Sequence, residues 1–167
     1  MKKGIRILVI EDEQPLVALT REVLEDLGYT VLTAADGQEG IELFSGHVHE
    51  IDLVLLDRTL PRLAGEKVLQ QMLELEPGVK VIVSSGDTSV DLSVVPGARM
   101  ILHKPYSLTV LFDAIHRLTD EMYPDEIGFA WTPDDGTTYA PGAEPAPGVY
   151  VIAADDADRS TVPLVDT

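Results

Sequence analysis

Four short apolar runs in this chain lead into residues able to do chemistry. Ile5–Ile10 leads into Glu11 and Asp12, and Ile51–Leu56 into Asp57, Arg58 and Thr59. Val79–Val83 leads into Ser84, Ser85 and Gly86, and Arg99–Leu102 is followed by His103, Lys104 and Pro105. Three carboxylates brought together repel one another unless a cation lies among them. A hard divalent ion with oxygen ligands, Mg²⁺, is the natural choice. An ammonium and a hydroxyl around one carboxylate then make a site for a phosphoryl group on that carboxylate. All of this requires the four segments to converge.

The elements between them supply a way. A fifth run, Thr30–Ala34, completes a set of Val-, Ile- and Leu-rich segments apolar on both faces, as in strands buried on both sides. Leu16, Leu19, Val23 and Leu27 recur at helical spacing before Gly28, and Ile41 with Phe44 marks a helix after Asp36-Gly37. Val68, Leu69, Met72 and Leu75 mark another, ended by Pro77-Gly78, and Leu108, Leu111, Phe112, Ile115, Leu118 and Met122 form the clearest stripe. A weaker helix is expected over Thr88–Val95, cut short by Pro96-Gly97. The alternation predicts an α/β fold with a doubly wound, five-stranded parallel sheet. Ligands of such sheets sit beyond the carboxyl ends of the strands, where these residues collect.

Composition narrows the function classes. With 167 residues, 29 acids and 12 bases, the net charge of −17 disfavours nucleic acid or anionic lipid as a partner and suits a hard cation. Without cysteine, disulfides, thiolate catalysis and cysteine-based zinc sites are excluded. The Ile7–Ile10 run is too short for a signal sequence, no segment is long enough to span a bilayer, and the protein is expected to be cytoplasmic.

The motifs ILVIEDE, DLVLLDRTLPRLAG, VIVSSG and ILHKP, in this order and spacing, resemble the receiver domain of two-component response regulators. The wording is closest to receivers of hybrid sensor kinases. The resemblance implies the flavodoxin-like strand order 2-1-3-4-5 and a receiver over residues 1–124. It implies that Asp57 takes a phosphoryl group from a phosphohistidine on a sensor histidine kinase or histidine phosphotransfer protein. Asp12 would bind Mg²⁺ directly, Glu11 would assist through water, and Thr59 would offer its backbone carbonyl. Ser84 and Lys104 would contact the phosphoryl group, with the Lys104-Pro105 bond cis. Strand alternation points one of Ser84 and Ser85 into the crevice, and the register favours Ser84. Such a domain is a signalling phosphoacceptor, catalysing only its own phosphorylation and dephosphorylation.

Two features depart from the family. The position three residues before the lysine, usually aromatic, is Ile101, and an aliphatic side chain cannot act as an aromatic rotamer switch. The segment from Ser84 to Gly97 is also about two residues short. Two rival readings follow from the same residues. An aspartyl-phosphate phosphatase would place a second acid two residues after Asp57, where Thr59 stands, and a degenerate receiver would act only as a binding module. His47 and His49 read as a solvated loop, and Gly65 as an ordinary backbone turn. Residues 125–167 carry nine acids, one base, five prolines and four glycines, together with Phe129, Trp131, Tyr139 and Tyr150. Short strands are expected there, docking on the receiver or on a second copy, with a homodimer formed through the last helix and this extension. No DNA-binding output is expected from it, since a basic recognition helix is missing.

Overall fold

The computed structural model describes residues 4–122, with side chains as far as Thr119. Expectations about residues 125–167 (short strands, docking, dimerisation) lie outside the described residues. Among the described residues there are five strands, β1 (Arg6–Ile10), β2 (Thr30–Ala34), β3 (Leu53–Asp57), β4 (Lys80–Ser85) and β5 (Met100–His103), and four helices. These are α1 (Gln14–Asp26), α2 (Gly37–Gly46), α3 (Gly65–Leu75) and α4 (Leu108–Met122). The sheet order is β2-β1-β3-β4-β5 and every pairing is parallel.

Alternation along the strands divides the core in two. Leu8, Ile10, Val54, Leu56, Val81, Val83 and Ile101 face one way, against Phe44 of α2 and Val68, Leu69 and Met72 of α3. Ile7, Val9, Leu53, Leu55, Ile82, Met100 and Leu102 face the other, against Leu24 of α1 and Val110, Leu111, Ala114, Ile115 and Leu118 of α4. Each strand is therefore covered twice, as its continuous apolar character anticipates.

Local chemistry starts α2. The Asp36 side chain accepts a hydrogen bond from the Glu39 amide at 2.9 Å, and the Glu39 carboxylate accepts from the Ala35 amide at 2.8 Å. Together they satisfy two backbone donors at the helix start.

Three expectations are corrected. The buried face of α1 is Val17, Thr20 and Leu24, while Leu19 is 46% exposed, so the Leu16–Leu27 stripe sits to one side of the buried face. Leu75, likewise expected inside, is 49% exposed at the end of α3. No helix forms over Thr88–Val95. The Asp87 carboxylate accepts hydrogen bonds from the Ser89 amide and hydroxyl, and the Asp91 carboxylate does the same for Ser93. These side-chain turns compete with helical hydrogen bonding. Gly97 then takes φ +92°, where an added Cβ would also lie 2.3 Å from Leu73 Cδ1. The segment is anchored by buried Val90, Val95 and Ala98.

Candidate functional site

The strand order reverses at β1, which has β2 on one side and β3 on the other. A crevice opens at such a switch point, beyond the carboxyl ends of the strands. Glu11 follows β1 directly. Asp57 is the last residue of β3 and lies in register with Ser84 of β4. β3 reaches one residue and β4 two residues further than their apolar runs, so Asp57, Ser84 and Ser85 belong to the strands rather than to the loops. Lys104 follows β5, and its peptide bond to Pro105 is cis.

The Lys104 ammonium donates to Glu11 Oε2 at 2.9 Å and to Asp57 Oδ2 at 3.0 Å, joining residues 93 and 47 positions away in sequence. The other Asp57 oxygen, Oδ1, accepts from the Thr59 amide at 2.9 Å, and Glu11 Oε1 accepts from the Glu13 amide at 3.2 Å. Asp12 is exposed, at the rim. One carboxylate oxygen from each of Glu11, Asp12 and Asp57 lies within 4.8 Å of the others. Three hard oxygen donors that close, on two buried residues and one accessible one, fit a small divalent cation.

The charges do not balance within the site. Burial pushes the Glu11 carboxyl up to about 7; the Lys104 ammonium and the Glu13 amide pull it down, while the neighbouring Asp57 charge pushes further up. Burial by itself would lower Lys104, yet its bonds to Glu11 and Asp57 hold it above the usual lysine range. One cation shared by two carboxylates is well satisfied and leaves a carboxylate underserved. The site has room for more positive charge.

Several neighbours hold the segment around Asp57. The Arg58 amide donates to the Ser84 carbonyl at 2.9 Å. Its guanidinium donates to Glu66 Oε1 of α3 at 2.6 Å and lies 3.6 Å from Asp87. Gly65 is not a turn residue but the first residue of α3, buried against this segment. Its amide donates to the Arg58 carbonyl, and a Cβ there would stand 2.6 Å from both the Asp57 carbonyl oxygen and Arg58 Cα. Ser85, the other hydroxyl at this strand end, is used locally, accepting from the Asp87 amide at 3.1 Å. Burial raises the Tyr106 phenol above the ordinary tyrosine range, and the nearby Lys104 charge and Ser84 hydroxyl pull it down; the sequence alone does not place Tyr106 beside this strand end. Its only sequence signal is an aromatic residue two places after the lysine. Ile101, in register with Val83, is 2% exposed and fills the core on the α2–α3 face. His47 caps the end of α2 and pairs with Glu50, away from the crevice.

Residues 7–116 match the response regulator receiver domain. The chain belongs to that family. Among curated relatives, the cell cycle transcriptional regulator CtrA of Caulobacter vibrioides is 30% identical over 115 residues, which are 67% of this chain and 49% of CtrA. The chain thus spans about half the length of that regulator. Among solved structures, a CheY-like receiver from Methanospirillum hungatei superposes with a TM-score of 0.67 at 30% identity, covering 73% of this chain and 98% of that one. The response regulator TrrA of Thermotoga maritima, solved in complex with Mg²⁺ and beryllofluoride, superposes with a TM-score of 0.61 at 28% identity, covering 68% and 98%. Among the described residues of this receiver, no helix is long and apolar enough to cross a membrane.

Proposed function

We propose that this receiver is a Mg²⁺-dependent phosphoacceptor in a phosphorelay, with Asp57 as the nucleophile. The donor is a phosphohistidine on a sensor histidine kinase or a histidine phosphotransfer protein. The supporting observation is the Lys104 ammonium suspended between Glu11 and Asp57, beside a cluster of three carboxylates.

The roles follow from where each group stands. An Asp57 carboxylate oxygen attacks phosphorus; the new P–O bond forms as the P–N bond breaks. The departing imidazole nitrogen keeps the electron pair and takes up a proton from solvent. Asp57 is the acceptor because it lies at the end of a central strand with the ammonium and the Ser84 strand beside it. Lys104, already on Asp57 Oδ2, pairs with the charge of the incoming phosphoryl oxygens. Ser84 offers a hydroxyl donor from the neighbouring strand. Mg²⁺ held by Asp12, Asp57 and the Thr59 carbonyl, with Glu11 assisting, would neutralise the carboxylates and the charge developing on the phosphoryl group. Water later cleaves the acyl phosphate, releasing phosphate and restoring the Asp57 carboxylate.

Incubation with phosphoramidate and Mg²⁺, followed by intact mass measurement, tests the proposal. One phosphoryl group should be gained by the wild type, and none in the presence of chelator or in Asp57→Asn. An Asp57→Asn protein that gains it at the wild-type rate overturns the assignment.

A further inference from the structure

We infer that the groove between α3 and the β4–β5 connection is a docking surface for a basic amphipathic helix of a partner protein. The inference stands apart from the phosphoacceptor reading and does not rest on it.

The groove has a volume of about 420 Å³, within the size range of clefts that bind ligands. One wall is a single stripe of α3, in which Glu66, Leu69, Gln70, Leu73 and Glu74 recur at helical spacing. From Glu66 to Glu74 the stripe runs about 12 Å along the helix axis. The other wall is Val95 and Pro96. Leu69 and Val95 are buried and Leu73 is half-buried, so the base of the groove is apolar. Val94, beside it in the chain, is 43% exposed and leaves further apolar surface there. Gly97 lets the connection come this close to α3, since a Cβ at that position would stand 2.3 Å from Leu73 Cδ1.

The charges around the groove select its occupant. No base lines it, and a carboxylate stands at each end of the α3 stripe. Glu66 pairs with Arg58, but that one guanidinium also lies 3.6 Å from Asp87 and so serves two acids. Glu74 accepts from the neutral Gln70 amide at 3.4 Å. Asp91 adds a further exposed acid on the connection. Lys67, the one base of α3, lines a separate cleft with Ile41 and Ser45. Negative charge flanking an apolar strip fits apolar side chains flanked by Lys or Arg. A helix presents such side chains along one face and keeps its own backbone bonds, whereas an extended segment would find no strand in these walls to pair with. Two occupants nearer to hand carry the wrong charge. Residues 125–167 hold nine acids and one base. A second copy docked through the same groove would, by two-fold symmetry, set Glu66 and Glu74 against the same two carboxylates.

The test uses the full chain and two blocked peptides of about 18 residues, long enough to hold a helix. Both carry leucines at spacings of three and four; one has lysines spaced as Glu66 and Glu74 are, and the other has glutamates there. Methyl and amide NMR shifts locate the binding, and fluorescence anisotropy measures it. The lysine peptide should move the signals of Leu69, Leu73 and Val95. Glu74→Lys should weaken its binding by about 3- to 10-fold, the scale of exchanging an attractive charge contact for a repulsive one. Glu42→Lys is the matched control, since its carboxylate accepts from the Gln38 amide on α2 in the same way. It should change the affinity by less than about twofold. Shifts confined to another face, equal losses in the two variants, or a glutamate peptide that binds as well as the lysine one each overturn the inference. Nuclear Overhauser contacts from the Leu73 or Val95 methyls to residues 125–167 would overturn it in favour of the chain's own segment. Groove signals that move with protein concentration, without peptide, would overturn it in favour of a second copy. The phosphoacceptor reading stands under every one of these outcomes.

Discussion

Two acidic regions meet at the top of this receiver and use the same side chain in opposite ways. In the crevice, Glu11 and Asp57 are buried, share one ammonium, and leave Glu11 pushed up to about 7 by burial. In the connection between β4 and β5, Asp87 and Asp91 are exposed. Hydrogen bonds from Ser89 and Ser93 hold both carboxyls below the usual range. The connection spends its carboxylates on local turns, where each finds donors two residues away. The crevice gathers carboxylates from distant strands, and the donors present serve them incompletely. A carboxylate stabilises a fold where the chain supplies its donors, and stores repulsion where a ligand must supply them.

The sharpest way to break this contrast is through the metal. Asp12→Ala should weaken Mg²⁺ binding by at least about 10- to 100-fold, the scale seen even for outer-sphere partners. It should also raise metal-free stability by relieving repulsion. Calorimetric titration and melts with and without Mg²⁺ decide; equal Mg²⁺-induced shifts in mutant and wild type would remove the distinction between the regions.

Acid titration gives the next effect. Glu11 titrates near 7 when folded against an ordinary 4.5, so its contribution to stability is fully present below pH 4.5 and is lost as pH rises through 7. In chelator, Glu11→Gln should therefore gain on the wild type across that window, by on the order of 1–3 kcal/mol. Denaturant melts at pH 4.5 and 8 measure the difference; parallel curves would show that Glu11 is not underserved.

Backbone geometry rather than charge should dominate the connection. Gly97→Ala places a Cβ at φ +92° against Leu73 and should cost about 1–3 kcal/mol, with Mg²⁺ affinity unchanged. Asp91→Ala should give the smallest change in melting temperature of the four, again without altering Mg²⁺ affinity. A Mg²⁺ defect in Asp91→Ala would join two regions that the contrast keeps apart.

Much of the arrangement was legible beforehand because it depends on short-range pattern. Val-, Ile- and Leu-rich runs of five or six residues, separated by helical stripes, suffice to specify a parallel sheet. The residue following each run is then placed at the carboxyl edge whatever the details of packing. Asp57, Lys104 and the acidic pair could be read in this way. Thr88–Val95 could not, because Asp87 and Asp91 can either start a helix or close a side-chain turn, and the packing of Val90, Val95 and Gly97 selects the turn. The buried face of α1, Val17, Thr20 and Leu24, is not legible for a related reason: a leucine at helical spacing shows that a face is apolar, while the sheet decides which face it covers.

What the sequence by itself determined is the set of elements, the order of the chemical groups along them, and the edge on which those groups emerge. These follow from side-chain periodicity and turn chemistry, which act over a few residues. Only the tertiary structure decided that Lys104 sits between Glu11 and Asp57, and that Gly65 leaves room for the backbone at Asp57 and Arg58. Those relations depend on distances between residues far apart in the chain, and such distances are set only when the two halves of the core close on the sheet.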